Sequence, residues 1–278
     1  FEAEPNRRLP RDQRRRVGFC RAARRGGGTI EPIDRKQLRS WPVQEQDRSE
    51  ARDGDLVRFE LAKRGRFATP QARILETLGN PDDQRQISLI AIHAHGLPDD
   101  FPESVIAETA DLKKPTMKGR EDLRDIPLLT IDPADARDHD DAVYAEPDTD
   151  EKNPGGHVVL VAIADVAHYV RPGSRLDREA RLRGNSVYFP DRVVPMLPEK
   201  ISNDLCSLRE NEDRPCLVAR MVFDSHGQKR SHSFHRAMMR SAAKLSYQEA
   251  QAAFDGAPGD KAGPLMDAAL KPLWAAYQ

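Results

Sequence analysis

Apolar and polar positions alternate in short runs through the first eighty residues. Val17-Gly18-Phe19-Cys20, Thr29-Ile30-Glu31-Pro32-Ile33, Leu56-Val57-Arg58-Phe59-Glu60 and Ala72-Arg73-Ile74-Leu75-Glu76 read as short strands, several with the two-residue period of a half-buried sheet. Turn-forming stretches separate them, the glycine-rich Arg24-Arg25-Gly26-Gly27-Gly28 and the tight Asp53-Gly54-Asp55. Short strands joined by basic loops predict a small barrel of the OB or cold-shock type over residues 12–80. Residues 81–119 read as a connector with helical character, apolar through Ile87–Ile92 and then punctuated by Pro98, Pro102 and Pro115. His93 and His95 lack a third ligand nearby and read as surface or packing histidines.

The pattern changes after Arg120. Leu128-Leu129-Thr130-Ile131 is a short buried strand. Ala142–Ala145 and Val158–Ile163 predict a hairpin around Asn153-Pro154-Gly155-Gly156, and Cys216–Phe223 with Lys229–Met239 predict another around Ser225-His226-Gly227. A polar helix is expected over Ser174–Arg183, ahead of the strand Ser186-Val187-Tyr188-Phe189-Pro190. Ser246 and Glu249 have capping-box spacing, which predicts a helix from Tyr247 to Phe254. The fold class expected is α+β, an OB-like barrel followed by a mixed α/β domain over residues 120–278.

Composition narrows the picture. With 278 residues, 38% hydrophobic and 32% charged, the chain has room for about two domains with real cores. No apolar run is long enough to cross a bilayer, and no signal-peptide pattern opens the chain. A start at Phe1 and a helical pattern running into Gln278 suggest a piece of a longer protein. Cys20, Cys206 and Cys216 lie far apart, which argues against a disulfide framework or a zinc site and fits a cytoplasmic protein. The net charge of -1 excludes a uniformly basic binder, yet the charges are segregated. Arg7, Arg8, Arg11, Arg14, Arg15, Arg16, Arg21, Arg24 and Arg25 crowd the beginning, whereas Asp132–Asp141 is densely acidic. That distribution suits a polyanion held near bound metal.

The acidic segment is Asp132-Pro133-Ala134-Asp135-Ala136-Arg137-Asp138-His139-Asp140-Asp141, directly after a strand. Five carboxylates so close repel one another unless a cation or strong hydrogen bonds offset the charge. Pro133 prevents a regular central strand, so a loop folded back on itself is expected, able to turn several carboxylates toward one point. Oxygen ligands without cysteine favour Mg2+, with Mn2+ as the alternative, over zinc. An EF-hand does not fit, because the sixth and twelfth positions from Asp132 hold Arg137 and Val143.

This segment resembles the signature of the ribonuclease II/ribonuclease R family, whose catalytic domain is called RNB. The resemblance continues through Ile163-Ala164-Asp165-Val166-Ala167-His168-Tyr169-Val170, Ser186–Pro190, Val194-Pro195-Met196-Leu197-Pro198 and Leu205-Cys206-Ser207-Leu208-Arg209, and its wording is nearer the ribonuclease R branch. It implies a processive, hydrolytic 3′-to-5′ exoribonuclease that binds the 3′ end of single-stranded RNA and releases nucleoside 5′-monophosphates; no membrane partner is expected, and the oligomeric state stays open with a monomer favoured. The family's acidic centre falls on Asp132, Asp138, Asp140 and Asp141 as metal-site residues, with Asp138 and Asp140 catalytic and Asp140 the most sensitive. Asp135 matches no site residue. Tyr188 falls on a tyrosine that stacks near the 3′-terminal nucleotide. At His139 the family usually has an aromatic side chain, so packing or orientation is expected there rather than general-base chemistry. His168 reads as structural, and Arg209 as either a phosphate contact or a surface ion pair. The family's RNB domain is longer than residues 120–278, so an isolated chain is expected to bind RNA weakly and hydrolyse it little. Two alternatives remain open on the residues: a non-catalytic RNA-binding relative, and a hydrolase of another phosphodiester such as DNA.

Overall fold

A computed structural model describes residues 16–23, 26–33, 39–62, 69–79, 84–113 and 115–278. Arg7, Arg8, Arg11, Arg14, Arg15, Arg24, Arg25 and Phe67 lie outside them. The chain divides into two compact units, one of residues up to Asp100 together with Ser186–Val194, the other of Phe101–Asn185 and Pro195–Gln278.

In the first unit, strands β1 (Arg16–Ala22), β2 (Gly28–Pro32), β3 (Trp41–Val43), β4 (Leu56–Ala62) and β5 (Gln71–Gly79) close into a barrel in the order β1-β2-β3-β5-β4. It is the expected OB-like architecture. Closure needs a sharp reversal before β2, made by Gly26 and Gly27 at φ +85° and +67°. A Cβ on Gly27 would stand 2.8 Å from the Val43 carbonyl oxygen, a second reason for glycine there. Cys20, Ile30, Val43, Ala51, Val57, Phe59, Ala72 and Ile74 fill the interior. Phe59 is therefore core, while Trp41 at its margin lies under the guanidinium groups of Arg39 and Arg16, 5.0 and 5.7 Å from its ring. Helix α1 (Gln84–Ala94) follows.

The second unit begins with α2 (Glu103–Ala110) and is built on a seven-stranded sheet. Its strands are β6 (Glu121–Leu123), β7 (Leu129–Asp132), β8 (Asp141–Pro147), β9 (His157–Ala164) and three introduced below. The short helix α3 (Val166–Tyr169) and the polar helix α4 (Arg175–Arg183), capped by Ser174, come next. The two-residue strands β10 (Val187–Tyr188) and β11 (Val193–Val194) pair as a ribbon that belongs to the first unit, where the Asp191 carboxylate accepts a hydrogen bond from Ser88. The sheet is completed by β12 (Asp213–Phe223), β13 (Lys229–Arg240) and β14 (Ala243–Ser246), in the order β14-β7-β8-β9-β12-β13-β6. Both predicted hairpins are present, β8 with β9 and β12 with β13. The end strands join in parallel, β14 on β7 and β6 on β13.

Side-chain alternation on the long strands sends Ala142, Leu160, Ala162, Val218 and Ala237 into one core, with Leu128, Leu176, Ile201 and Met239. A second cluster of Leu129, Leu245, Ala250, Ala253 and Leu270 lies under α5 (Tyr247–Phe254), and α6 (Lys271–Tyr277) closes the described chain. The capping box forms as read from the sequence: the Glu249 N–H donates to Ser246 Oγ, and the Ser246 N–H donates to the Glu249 carboxylate at 2.7 Å. All three cysteines are buried and unbonded. No helix among the described residues is long and apolar enough to cross a membrane.

Candidate active site

The acidic segment is the connection between two sheet strands, because β7 ends at Asp132 and β8 begins at Asp141. Pairing of Ser246 with Asp132 fixes the backbone where the loop leaves the sheet. Beyond it the chain turns back at once, with the Ala136 N–H bonded to the Pro133 carbonyl at 3.0 Å. Lys244 Nζ donates to the Ala136 carbonyl at 3.2 Å, and the Ala164 N–H donates to the Asp140 carbonyl at 2.9 Å. A loop tied at both ends and in its middle holds its side chains in set directions.

Asp132 is the buried member, its side chain 12% exposed and its Oδ2 2.8 Å from Nδ1 of the buried His139. Asp140 and Asp141 are exposed residues, and Asp138 is half-buried. The Asp141 carboxyl is nonetheless pushed above the usual carboxylate range, first by partial burial and then by the charges of Asp140 and Asp132. Three of the four predicted carboxylates thus share one electrostatic neighbourhood. Among the described residues no three His, Cys, Asp or Glu side chains stand already closed around a point as a metal would gather them. The chemistry of the donors still fits a hard divalent cation, since carboxylate oxygens crowded against their own repulsion are what such an ion relieves.

Other predicted residues fall as follows. Tyr188 lies on β10 in the first unit and is 67% exposed, so it is no core residue. Arg209 pairs with Asp204 at 3.2 Å and Glu212 at 3.9 Å. His168 meets the Tyr169 ring edge-on, and its pKa is lowered by burial and by Arg120 and Arg171.

Sequence reading assigned no role to three residues that organise this region. Asp165 accepts from Arg120 at 2.7 Å, both side chains nearly out of water, with Arg236 at 3.8 Å. Arg214, fully buried, donates from Nε to the Ser207 carbonyl at 2.9 Å. Lys244 is over a hundred residues from the carbonyl it caps, and no local signal pointed to it. Register also places Asp141, Ile163, Leu217 and Arg236 in one row across four strands, so the sheet face beside Asp141 is apolar and ends on a cation.

Residues 120–275 match the RNB domain and residues 30–102 the cold shock domain. The chain belongs to the RNB domain family. Ribonuclease R of Escherichia coli (strain K12) is 46% identical over 202 residues, covering 71% of this chain and 24% of that protein. The chain spans between about a quarter and under half of the length of the curated relatives it matches. The structure of Mycoplasma genitalium RNase R in complex with double-stranded RNA is similar with a TM-score of 0.79 at 25% identity, over 99% of this chain and 48% of that one. Yeast Ssd1, described as a pseudonuclease, shares the fold at a TM-score of 0.62 and 16% identity, over 94% of this chain and 34% of its own.

Proposed function

We propose that this RNB domain serves a cytoplasmic, processive exoribonuclease that hydrolyses single-stranded RNA from its 3′ end to nucleoside 5′-monophosphates, with Mg2+ as the ion and Mn2+ as a substitute. The observation that carries the reading is the placement of Asp132 at the end of β7, of Asp141 at the start of β8 and of Asp140 just ahead of it, in a loop tied down at both ends; partial burial and then the charges of Asp140 and Asp132 accordingly push the Asp141 carboxyl up. Asp132, Asp138, Asp140 and Asp141 would hold the ions. Bound divalent ions supply an activated water and charge neutralisation at the leaving 3′ oxygen. The chain's own contribution is to keep Asp132 and Asp141 on strand ends, where the sheet prevents drift, with Asp140 directly before β8. The exposed Tyr188 ring offers a face on which any terminal base can stack without sequence being read.

The test is hydrolysis of 5′-labelled single-stranded RNA by the protein carrying this sequence, with Mg2+ or with chelator, beside a DNA strand of the same sequence. The expected result is shortening from the 3′ end with release of 5′-monophosphates, on RNA alone, abolished by chelation. Asp140→Asn should lower turnover by about a hundredfold or more while RNA binding persists. Internal cleavage, or an Asp140→Asn protein as fast as its parent, would contradict the reading. Equal RNA binding by both with no shortening would favour a pseudonuclease, the reading that the likeness to Ssd1 keeps in view.

A further inference from the structure

We infer that His139 is a positioning residue, which holds Oδ2 of Asp132 and so presents the carboxylate to a divalent cation through Oδ1. The inference rests on the acidic loop being a cation site, as proposed above.

Four observations combine. Asp132 closes β7, and its pairing with Ser246 leaves the backbone no latitude. Its side chain is 12% exposed, so any partner it has must come from the protein rather than from bulk water. The partner is His139 Nδ1 at 2.8 Å, on a ring only 6% exposed. An ionised carboxylate can only accept, which assigns the proton of this hydrogen bond to Nδ1. A carboxylate with one oxygen so engaged has one direction left in which to offer charge.

The His139 backbone is itself braced from outside the loop. The His139 N–H donates to Ser207 Oγ at 3.3 Å, and its carbonyl accepts from the Leu208 N–H at 2.7 Å. Ser207 in turn passes its carbonyl to Arg214 Nε at 2.9 Å. Arg214 is 2% exposed and pairs with Glu212 at 2.7 Å. A continuous set of contacts therefore runs from a buried arginine of β12, through Ser207 and Leu208, to His139 and the Asp132 carboxylate. The segment preceding β12 thus fixes the His139 backbone from which the ring projects. This gives Ser207 and Leu208 a physical task that their place in the sequence did not reveal.

The consequence is preorganisation. A carboxylate free to rotate among repelling neighbours turns away from them, and a cation must first order it. A carboxylate held by a donor is already aimed. Hydrogen bonds of this outer kind commonly change metal affinity by about ten- to a hundredfold when removed.

The experiment titrates the chain with Mn2+ alone, following free Mn2+ by electron paramagnetic resonance, with thermal unfolding recorded for each variant. His139→Phe keeps a ring of similar size without a donor and is expected to weaken Mn2+ binding by about tenfold. His139→Asn places its amide nitrogen near where Nδ1 lies and should regain most of the affinity. His139→Gln puts its amide near the far side of the ring and should resemble His139→Phe. Because Asn and Gln are both polar and both flexible, their contrast decides the matter even if the phenylalanine variant fails to fold. Equal Mn2+ affinity in parent and His139→Phe, or in His139→Asn and His139→Gln, overturns the inference. A parent chain that takes up no Mn2+, with Asp140→Asn no different, overturns the cation site itself together with the role of His139. That result is recognised by the absence of binding in every variant, rather than by a lack of contrast among binders.

Discussion

Removing Arg120 should reveal how far the second unit depends on one buried ion pair. Its guanidinium is 5% exposed and meets the 3% exposed Asp165 carboxylate at 2.7 Å. It also donates to the Ala237 carbonyl at 3.3 Å, which joins the segment before β6 to β13. Arg120→Met fills similar space but strands a buried carboxylate, a change that costs about 3–5 kcal/mol. Arg236 remains 3.8 Å from the other oxygen, though its side chain is half in solvent and screened. The expected loss is therefore at the lower end, about 3 kcal/mol. Replacing both partners, Arg120→Met with Asp165→Leu, removes the stranded charge along with the pair. The Ala237 carbonyl then loses this donor and the half-exposed Arg236 its carboxylate, and the double variant should lie within about 1 kcal/mol of the parent. The two tryptophans allow the second unit to be followed alone, since Trp41 belongs to the barrel and Trp274 to the second unit, stacked on Phe254. Urea unfolding watched at Trp274 in a Trp41→Phe background measures Arg120→Met, Asp165→Leu and the double variant. An Arg120→Met loss below about 1 kcal/mol, or a double variant as weak as the sum of the singles, would refute the view that burial rather than attraction dominates here.

Three more measurements follow from the same structure. Ser246→Ala removes the side-chain half of the capping box at the head of α5 and should lower second-unit stability by about 1 kcal/mol in the same urea assay; no change would mean the cap adds nothing beyond packing. Burial pushes the Cys206 and Cys216 thiols up to about 12 and raises that of Cys20, so iodoacetamide at mildly alkaline pH should modify none of the three until the chain unfolds; stoichiometric labelling of native protein would contradict this. His168 has a folded-state pKa lowered by burial, then by Arg120 and Arg171, so the unfolded chain binds the extra proton first. Stability of the second unit should accordingly fall as pH drops through the ordinary histidine range, and His168→Gln should flatten that part of the profile; an unchanged slope in the variant would refute the assignment.

Much of this architecture is written in windows of a dozen residues. Two-residue alternation and the Asn153–Gly156 and Ser225–Gly227 turns specify both hairpins, because strand and turn preferences act between neighbours in the chain. Ser246 and Glu249 specify the start of α5 for the same reason. The acidic loop is visible too, since carboxylates at such density are unfavourable unless something answers their charge. What the sequence could not disclose depends on chain segments far apart meeting in space. The parallel pairing of β14 with β7, the grouping of Ser186–Val194 with the barrel unit, and the Arg120–Asp165 pair have no local signature. The hold of His139 on Asp132 is of this kind even though the two are seven residues apart. The loop brings them near, but the His139 backbone stands where it does because Ser207 and Leu208, tied in turn to Arg214, hold it there. Residue type and spacing determine which groups can take part; only the closed tertiary packing determines which way each one faces.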